Sequence, residues 1–172
     1  MPRRHMTLDH LRPTALAFLA GTLLAAAARG QSPTAYVDDS VTAAESFQRL
    51  PDLLSAGNAG EVLRVAQRLL DEEGDRLVVS TADPEVFVPV RARVHAMLLA
   101  DAALLNRYRQ LEGPAGQRLL EEGRLAALER SRLLTPAGFE AALRLATLDF
   151  EAARFDGAVL RLAQLQTHPD LS

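Results

Sequence analysis

The stretch that decides the fold is Thr135-Pro136-Ala137-Gly138-Phe139-Glu140-Ala141-Ala142-Leu143-Arg144-Leu145-Ala146-Thr147-Leu148-Asp149-Phe150-Glu151-Ala152-Ala153-Arg154-Phe155-Asp156-Gly157-Ala158-Val159-Leu160-Arg161-Leu162-Ala163-Gln164-Leu165. A hydroxyl N-cap followed by proline at the first helical position marks a helix start at Thr135-Pro136. Phe139, Ala142, Leu143, Leu145, Ala146 and Leu148 then carry the helix to Ala153. After a turn at Arg154-Phe155-Asp156, Ala158, Val159, Leu162 and Leu165 form a second helix that ends before Pro169. Two helices joined by so short a turn predict an αα-hairpin. Small residues at 146 and 158 let the two backbones approach, and Phe155 is expected to plug the gap.

The spacing has a known counterpart. Leu145-Ala146, the small residue Ala153, the aromatic Phe155 two later and Ala158 three beyond that fall at the offsets of a tetratricopeptide repeat. Weaker echoes stand at Gly57 and Gly123, which lie 66 residues apart, with Gly123 another 30 residues before Ala153. The predicted fold is therefore all-α: a tetratricopeptide-like αα-hairpin superhelix over 41–172, with a small β-hairpin near 77–90.

Outward from that hairpin, Val41 to Ala56 reads as a helix with Pro51 inside it, so that the helix either kinks or restarts there. Gly57-Asn58-Ala59-Gly60 is a break, and Asn58 with Glu61 matches a capping box for the next helix, which ends near Gly74. Leu77-Val78-Val79 and Val86-Phe87-Val88 are β-rich and flank Asp83-Pro84, the pattern of a small two-stranded hairpin or of an extended loop covering the helices. Helix resumes over Arg91 to Ala100, and Asp101 is placed to cap a short helix that Gly113-Pro114 should stop. Gly113-Pro114-Ala115-Gly116 thus reads as a turn, with Pro114 opening another helix that breaks at Gly123.

Composition supports helices and excludes several chemistries. Hydrophobic residues are 48% of the 172 and aromatics only 5%, which favours packing through Leu and Ala over strands. The chain has no cysteine, so disulfides, thiolate catalysis, iron–sulfur clusters and a lipid-bearing N-terminal cysteine are out. All 19 basic residues are arginine, which rules out Schiff-base and P-loop mechanisms that need lysine.

Residues 1–30 have the layout of a secretory signal peptide: Arg3, Arg4 and Arg12, an apolar run from Pro13 to Ala28, and small residues at Ala28 and Gly30 before a cleavage point at Gln31. Cleavage after Ala28 is the near alternative. An uncleaved anchor is the rival reading, but the run is shorter than the roughly 20 residues a spanning helix needs. Removal of 1–30 takes four arginines and Asp9, leaving 15 arginines against 21 acids and a net charge of −6. So acidic a chain is ill suited to nucleic acid or anionic lipid. The expected layout is signal peptide 1–30, flexible arm 31–40 and helical-repeat domain 41–172, truncated at its C-terminus, in the periplasm or cell envelope of a bacterium and with no stable membrane span after leader cleavage.

No catalytic, cofactor or metal constellation stands out. His95 borders a core stripe, and His168 sits at a helix end where a cation meets the helix dipole favourably. Neither has a second histidine four residues away, as metal-ligand spacing would ask. Asp71-Glu72-Glu73 with Asp75 lacks the alternating ligands of a calcium loop. Arg91, Arg93, Arg107 and Arg109 are the candidate partner contacts, as a basic patch for a carboxylate-bearing partner; ion pairing with neighbouring acids is the plainer reading.

Three segments carry a further resemblance: Leu69-Leu70-Asp71-Glu72-Glu73-Gly74-Asp75, Val86-Phe87-Val88-Pro89-Val90-Arg91-Ala92-Arg93-Val94-His95, and Arg107-Tyr108-Arg109 with Leu119-Leu120-Glu121-Glu122-Gly123. With the final helix pair they resemble the helical N-terminal region of exported planctomycete-type bacterial proteins that carry PQQ-like β-propeller repeats. No propeller follows, and the chain has no tryptophan. The resemblance implies a helical accessory region whose activity lies on another domain or chain.

The expectation is a non-catalytic exported interaction or scaffolding module for a protein or peptide. Phe139, Leu143, Leu160 and Leu162 are more apolar residues than the last helix pair can hide, so self-association through that pair is also expected.

Overall fold

The computed structural model describes residues 38–171. The expected leader and arm residues 31–37 lie outside them. The described residues form seven helices and one strand pair: α1 (Val41–Ser55), α2 (Ala59–Glu72), β1 (Leu77–Val79), β2 (Phe87–Pro89), α3 (Val90–Ala100), α4 (Ala102–Glu121), α5 (Leu125–Arg132), α6 (Pro136–Glu151) and α7 (Phe155–Leu165). The all-α class with a small β-hairpin is therefore what the chain adopts. The strands are antiparallel, with Val78 opposite Val88. Asp83 closes their loop by accepting the Glu85 amide on its side chain at 2.9 Å. Residues 38–40, the end of the arm expected to be loose, are tied to β1: Leu77 N donates to Asp38 O at 3.1 Å and Ser40 N to Leu77 O at 2.9 Å.

Three of the connections are one turn used three times. After α1, α4 and α6 the second residue past the helix end is left-handed: Gly57 at φ +73°, Gly123 at +71° and Ala153 at +57°. In each case its amide and the next one bond back to the preceding helix. Gly57 N reaches Leu54 O and Asn58 N reaches Leu53 O; Gly123 and Arg124 reach Leu120 and Leu119; Ala153 and Arg154 reach Phe150 and Asp149. This is the two-bond Schellman closure, which satisfies carbonyls the helix would leave open. Glycine takes the left-handed conformation without cost; Ala153 does not.

The repeated turn fixes a repeated burial pattern. The residues five places after it, Val62, Leu128 and Ala158, are all buried, as are those seven places before it, Leu50, Gly116 and Ala146. Gly116 makes room for its neighbours, since a Cβ there would meet Thr135 Oγ1 at 3.1 Å and Leu128 Cδ1 at 3.5 Å. The main core gathers α1 to α4 and β1 around Phe47, Leu50, Val62, Leu70, Val78, Val94, Leu98 and Tyr108. Smaller clusters centre on Leu128 with Ala137 and Ala141, and on Leu133 with Ala142 and Leu165.

Several local expectations are corrected. Gly113-Pro114 neither stops a helix nor forms a turn: α4 runs unbroken from Ala102 to Glu121. Leu104, Leu105, Tyr108 and Gly116 bury one face on both sides of Pro114, and that packing outweighs the one missing backbone bond. At Pro51 the helix does not restart: Pro51 lies inside the single helix α1, as the first of its two readings had it. Asn58 makes no side-chain cap, so the capping box is absent. Phe155 plugs nothing; it is exposed and meets Phe150 edge-on at 5.6 Å. The caps expected at Asp101 and Thr135 are made, Asp101 accepting from Ala103 and Leu104 and Thr135 from Gly138.

Candidate functional site

An apolar cleft of about 450 Å³ lies between α1, the strand pair and α3. Phe47, Leu50, Pro51 and Leu54 supply one wall and Ala92, Ala96 and Met97 the other, with Val88 behind and Ser80 and Thr81 at the edge. It arises because α1 and α3 both lean on α2 and the strand loop rises beside them. Leu54 remains exposed, as do Val79, Val86 and Phe87 nearby on the strands.

Arg93 is the charged member of the cleft. Its guanidinium lies 4.2 Å from the centroid of the Phe47 ring, and its Nη1 donates to Val79 O at 3.0 Å. The ring face and the carbonyl hold the cation in place. Burial lowers its pKa, yet arginine remains charged.

The four candidate arginines do not form one patch. Arg91 pairs with Asp75 and bonds Gly74 O, and burial is the largest influence on its pKa, downward. Arg109 is paired with Asp170. Arg107 is exposed on α4. Arg93 alone lines the apolar cleft. Residues 91 and 93 are two apart on a helix and face different ways, which the sequence spacing itself predicts.

A second cleft, of about 470 Å³, carries Arg118, Arg124, Arg130 and Arg132 against Asp71 and Glu122. Most of that charge is spent internally: Arg132 pairs with Glu112 at 3.0 Å and with Asp71 at 3.4 Å, and Arg124 with Glu122 at 3.8 Å. Asp149, buried on α6, receives Nε of both Arg154 and Arg161 at 2.9 Å, and those bonds, Arg161 first, hold its carboxyl below the usual carboxylate range.

Two of the four histidines, His95 and His168, lie among the described residues. His168 is buried rather than a cation at a helix end: Nε2 donates to Leu133 O at 3.0 Å, Nδ1 accepts the Asp170 amide at 3.1 Å, and the ring lies 4.7 Å from that of Phe139. Burial holds its pKa below the ordinary value, so it is neutral. His95 is pushed down to about 4 by burial, with Arg91 and His168 adding to the effect. Among the described residues no group of acids and histidines is arranged to hold a metal ion, and no helix is long and apolar enough to cross a membrane.

No family model, curated protein or solved structure matches the chain.

Proposed function

We propose that this chain is an exported, non-catalytic interaction module of tetratricopeptide-like hairpins, whose α1–α3 cleft takes an apolar peptide segment bearing an acidic group. The carrying observation is the cleft itself: apolar walls with one fixed cation, Arg93, in its lining. Binding clefts are mostly apolar with a few placed polar groups, and this one has that make-up. The three identical turns support the repeat reading, because a common turn and burial register is what repeating hairpins require. The resemblance to helical regions of propeller-bearing exported proteins supports the same division of labour, with helices that bind and activity elsewhere.

The test is a random-peptide display selection on the immobilised full chain. Enriched sequences should combine two or more apolar residues with an acid, and Leu54→Asp and Arg93→Glu should each weaken their binding at least tenfold. Enrichment of nothing, or of peptides indifferent to both substitutions, would overturn the reading. Export is tested separately: the protein isolated from its host should begin near Gln31 by mass spectrometry, and an intact Met1 on a cytoplasmic protein would refute it.

A further inference from the structure

The common turn gives every hairpin the same register, so equivalent positions can be compared directly. Val159 and Leu162 stand six and nine residues after Ala153; their counterparts after Gly57 are Leu63 and Ala66. Leu63 and Ala66 are 3% and 0% exposed, whereas Val159 and Leu162 are 64% and 49% exposed. On the preceding helix, ten residues before each turn, Phe47 is 7% exposed and Leu143 is 38% exposed.

The difference has a visible cause. In the first hairpin α3 packs against α2, and its Arg93 covers the Phe47 ring. On the last hairpin no helix among the described residues packs at that place. Leu143, Phe150, Phe155, Val159 and Leu162 therefore form an apolar strip at the position where a helix lies on the first hairpin. The Phe150–Phe155 edge contact joins the part on α6 to the part on α7.

We propose that this strip takes a second copy of this chain, the two α6–α7 faces meeting about a two-fold axis. Charge favours that occupant. A two-fold interface sets like residues near one another, which an acidic chain tolerates only where charge is missing. The five side chains are uncharged, with exposed Glu151, Arg154 and Asp156, of both signs, at the turn beside them, and the one arginine of α7, Arg161, is drawn aside to Asp149 and Glu129. Area agrees: with about 150–200 Å² for a full side chain, the strip exposes roughly 500 Å². Doubled, that reaches the roughly 1,000 Å² at which a specific but weak interface begins. The strip is distinct from the α1–α3 cleft, so although the proposal deepens the interaction reading, each can fail without the other.

The experiment is sedimentation equilibrium of the full chain from micromolar to several hundred micromolar. The expected result is a reversible dimer, weakened at least tenfold by Leu162→Glu with an unchanged helical spectrum and melting curve. Because the chain has no cysteine, Val159→Cys gives an independent readout: it should form a disulfide-linked dimer under mild oxidation, and Arg107→Cys should not. A monomer across the whole range, a dimer indifferent to Leu162→Glu, or equal cross-linking from position 107 would each overturn the proposal. Peptide binding in the cleft should survive Leu162→Glu, which separates this proposal from the other.

Discussion

The Tyr108 hydroxyl donates to Oε1 of Gln67 at 3.0 Å, joining α4 to α2 across 41 residues of sequence. Both side chains are buried. The Gln67 amide then donates to Asp71 at 3.0 Å and to Ser131 O, at the end of α5, at 3.2 Å. One glutamine thus joins polar groups from three helices, Tyr108 and Ser131 O inside and Asp71 at the surface, and burial raises the Tyr108 pKa, which keeps the phenol protonated as the donor.

Tyr108→Phe should therefore cost about 1–3 kcal/mol, because the Gln67 oxygen is left buried without a donor. Urea unfolding checks it. Tyr108→Phe combined with Gln67→Leu should cost less than the two single changes added together, since the Gln67 oxygen is no longer there to be left without a donor.

Gly138→Ala should be the most damaging glycine-to-alanine change among the described residues. A Cβ at Gly138 would lie 2.1 Å from Arg132 O and 2.6 Å from Leu133 O, both backbone. Neither carbonyl can move without dislodging the end of α5 from the start of α6. A loss of about 3 kcal/mol or more is expected, as overpacking against rigid backbone gives, measured as a fall in the denaturation midpoint.

Ala153→Gly should stabilise the protein, by about 0.5–1 kcal/mol, since it relieves a left-handed alanine at φ +57°. Part of the gain is cancelled by the greater freedom of glycine in the unfolded chain. An unchanged or lower melting temperature would show that the turn is not strained.

Ala158→Leu should cost about 1–3 kcal/mol, because Ala158 is buried where α7 meets α6. The test is again the unfolding free energy, with exposed Ala163→Leu as a near-neutral control.

Stability should fall on acidification below about pH 6.5. His95 and His168 both have lowered pKa values in the folded state, so the unfolded chain binds more protons once the pH drops below the ordinary histidine value. The loss continues toward pH 4, where folded His95 itself titrates. His95 Nε2 has no hydrogen-bond partner to receive a new charge. A decrease on the order of 1–2 kcal/mol between pH 7 and pH 5 is expected, and His95→Asn should flatten the slope.

Much of the fold was legible because its signals are local. Thr135-Pro136 and Asp101 are caps whose chemistry needs only the next three residues, and Gly57 and Gly123 mark turns that require a left-handed backbone. Pro114 misled because its usual effect is local while its tolerance is not: it depends on Leu104, Tyr108 and Gly116 being buried against other helices. Phe155 misled for the complementary reason, since an aromatic at a repeat position needs an adjoining helix to be covered. The apolar cleft was not legible at all. Its walls, Leu50 and Met97, are far apart in sequence, and only the meeting of α1 with α3 makes Arg93 a different residue from Arg91 or Arg107.

The thrice-used turn also makes the molecule its own control. A side chain in one hairpin can be addressed by its distance from the left-handed residue, and the same address exists in two other surroundings. A substitution at Val62, Leu128 and Ala158, or at Leu50, Gly116 and Ala146, repeats one experiment with the local backbone held constant and only the neighbours varied. Differences among the three results would measure what the surrounding helices add, separately from what the hairpin supplies by itself.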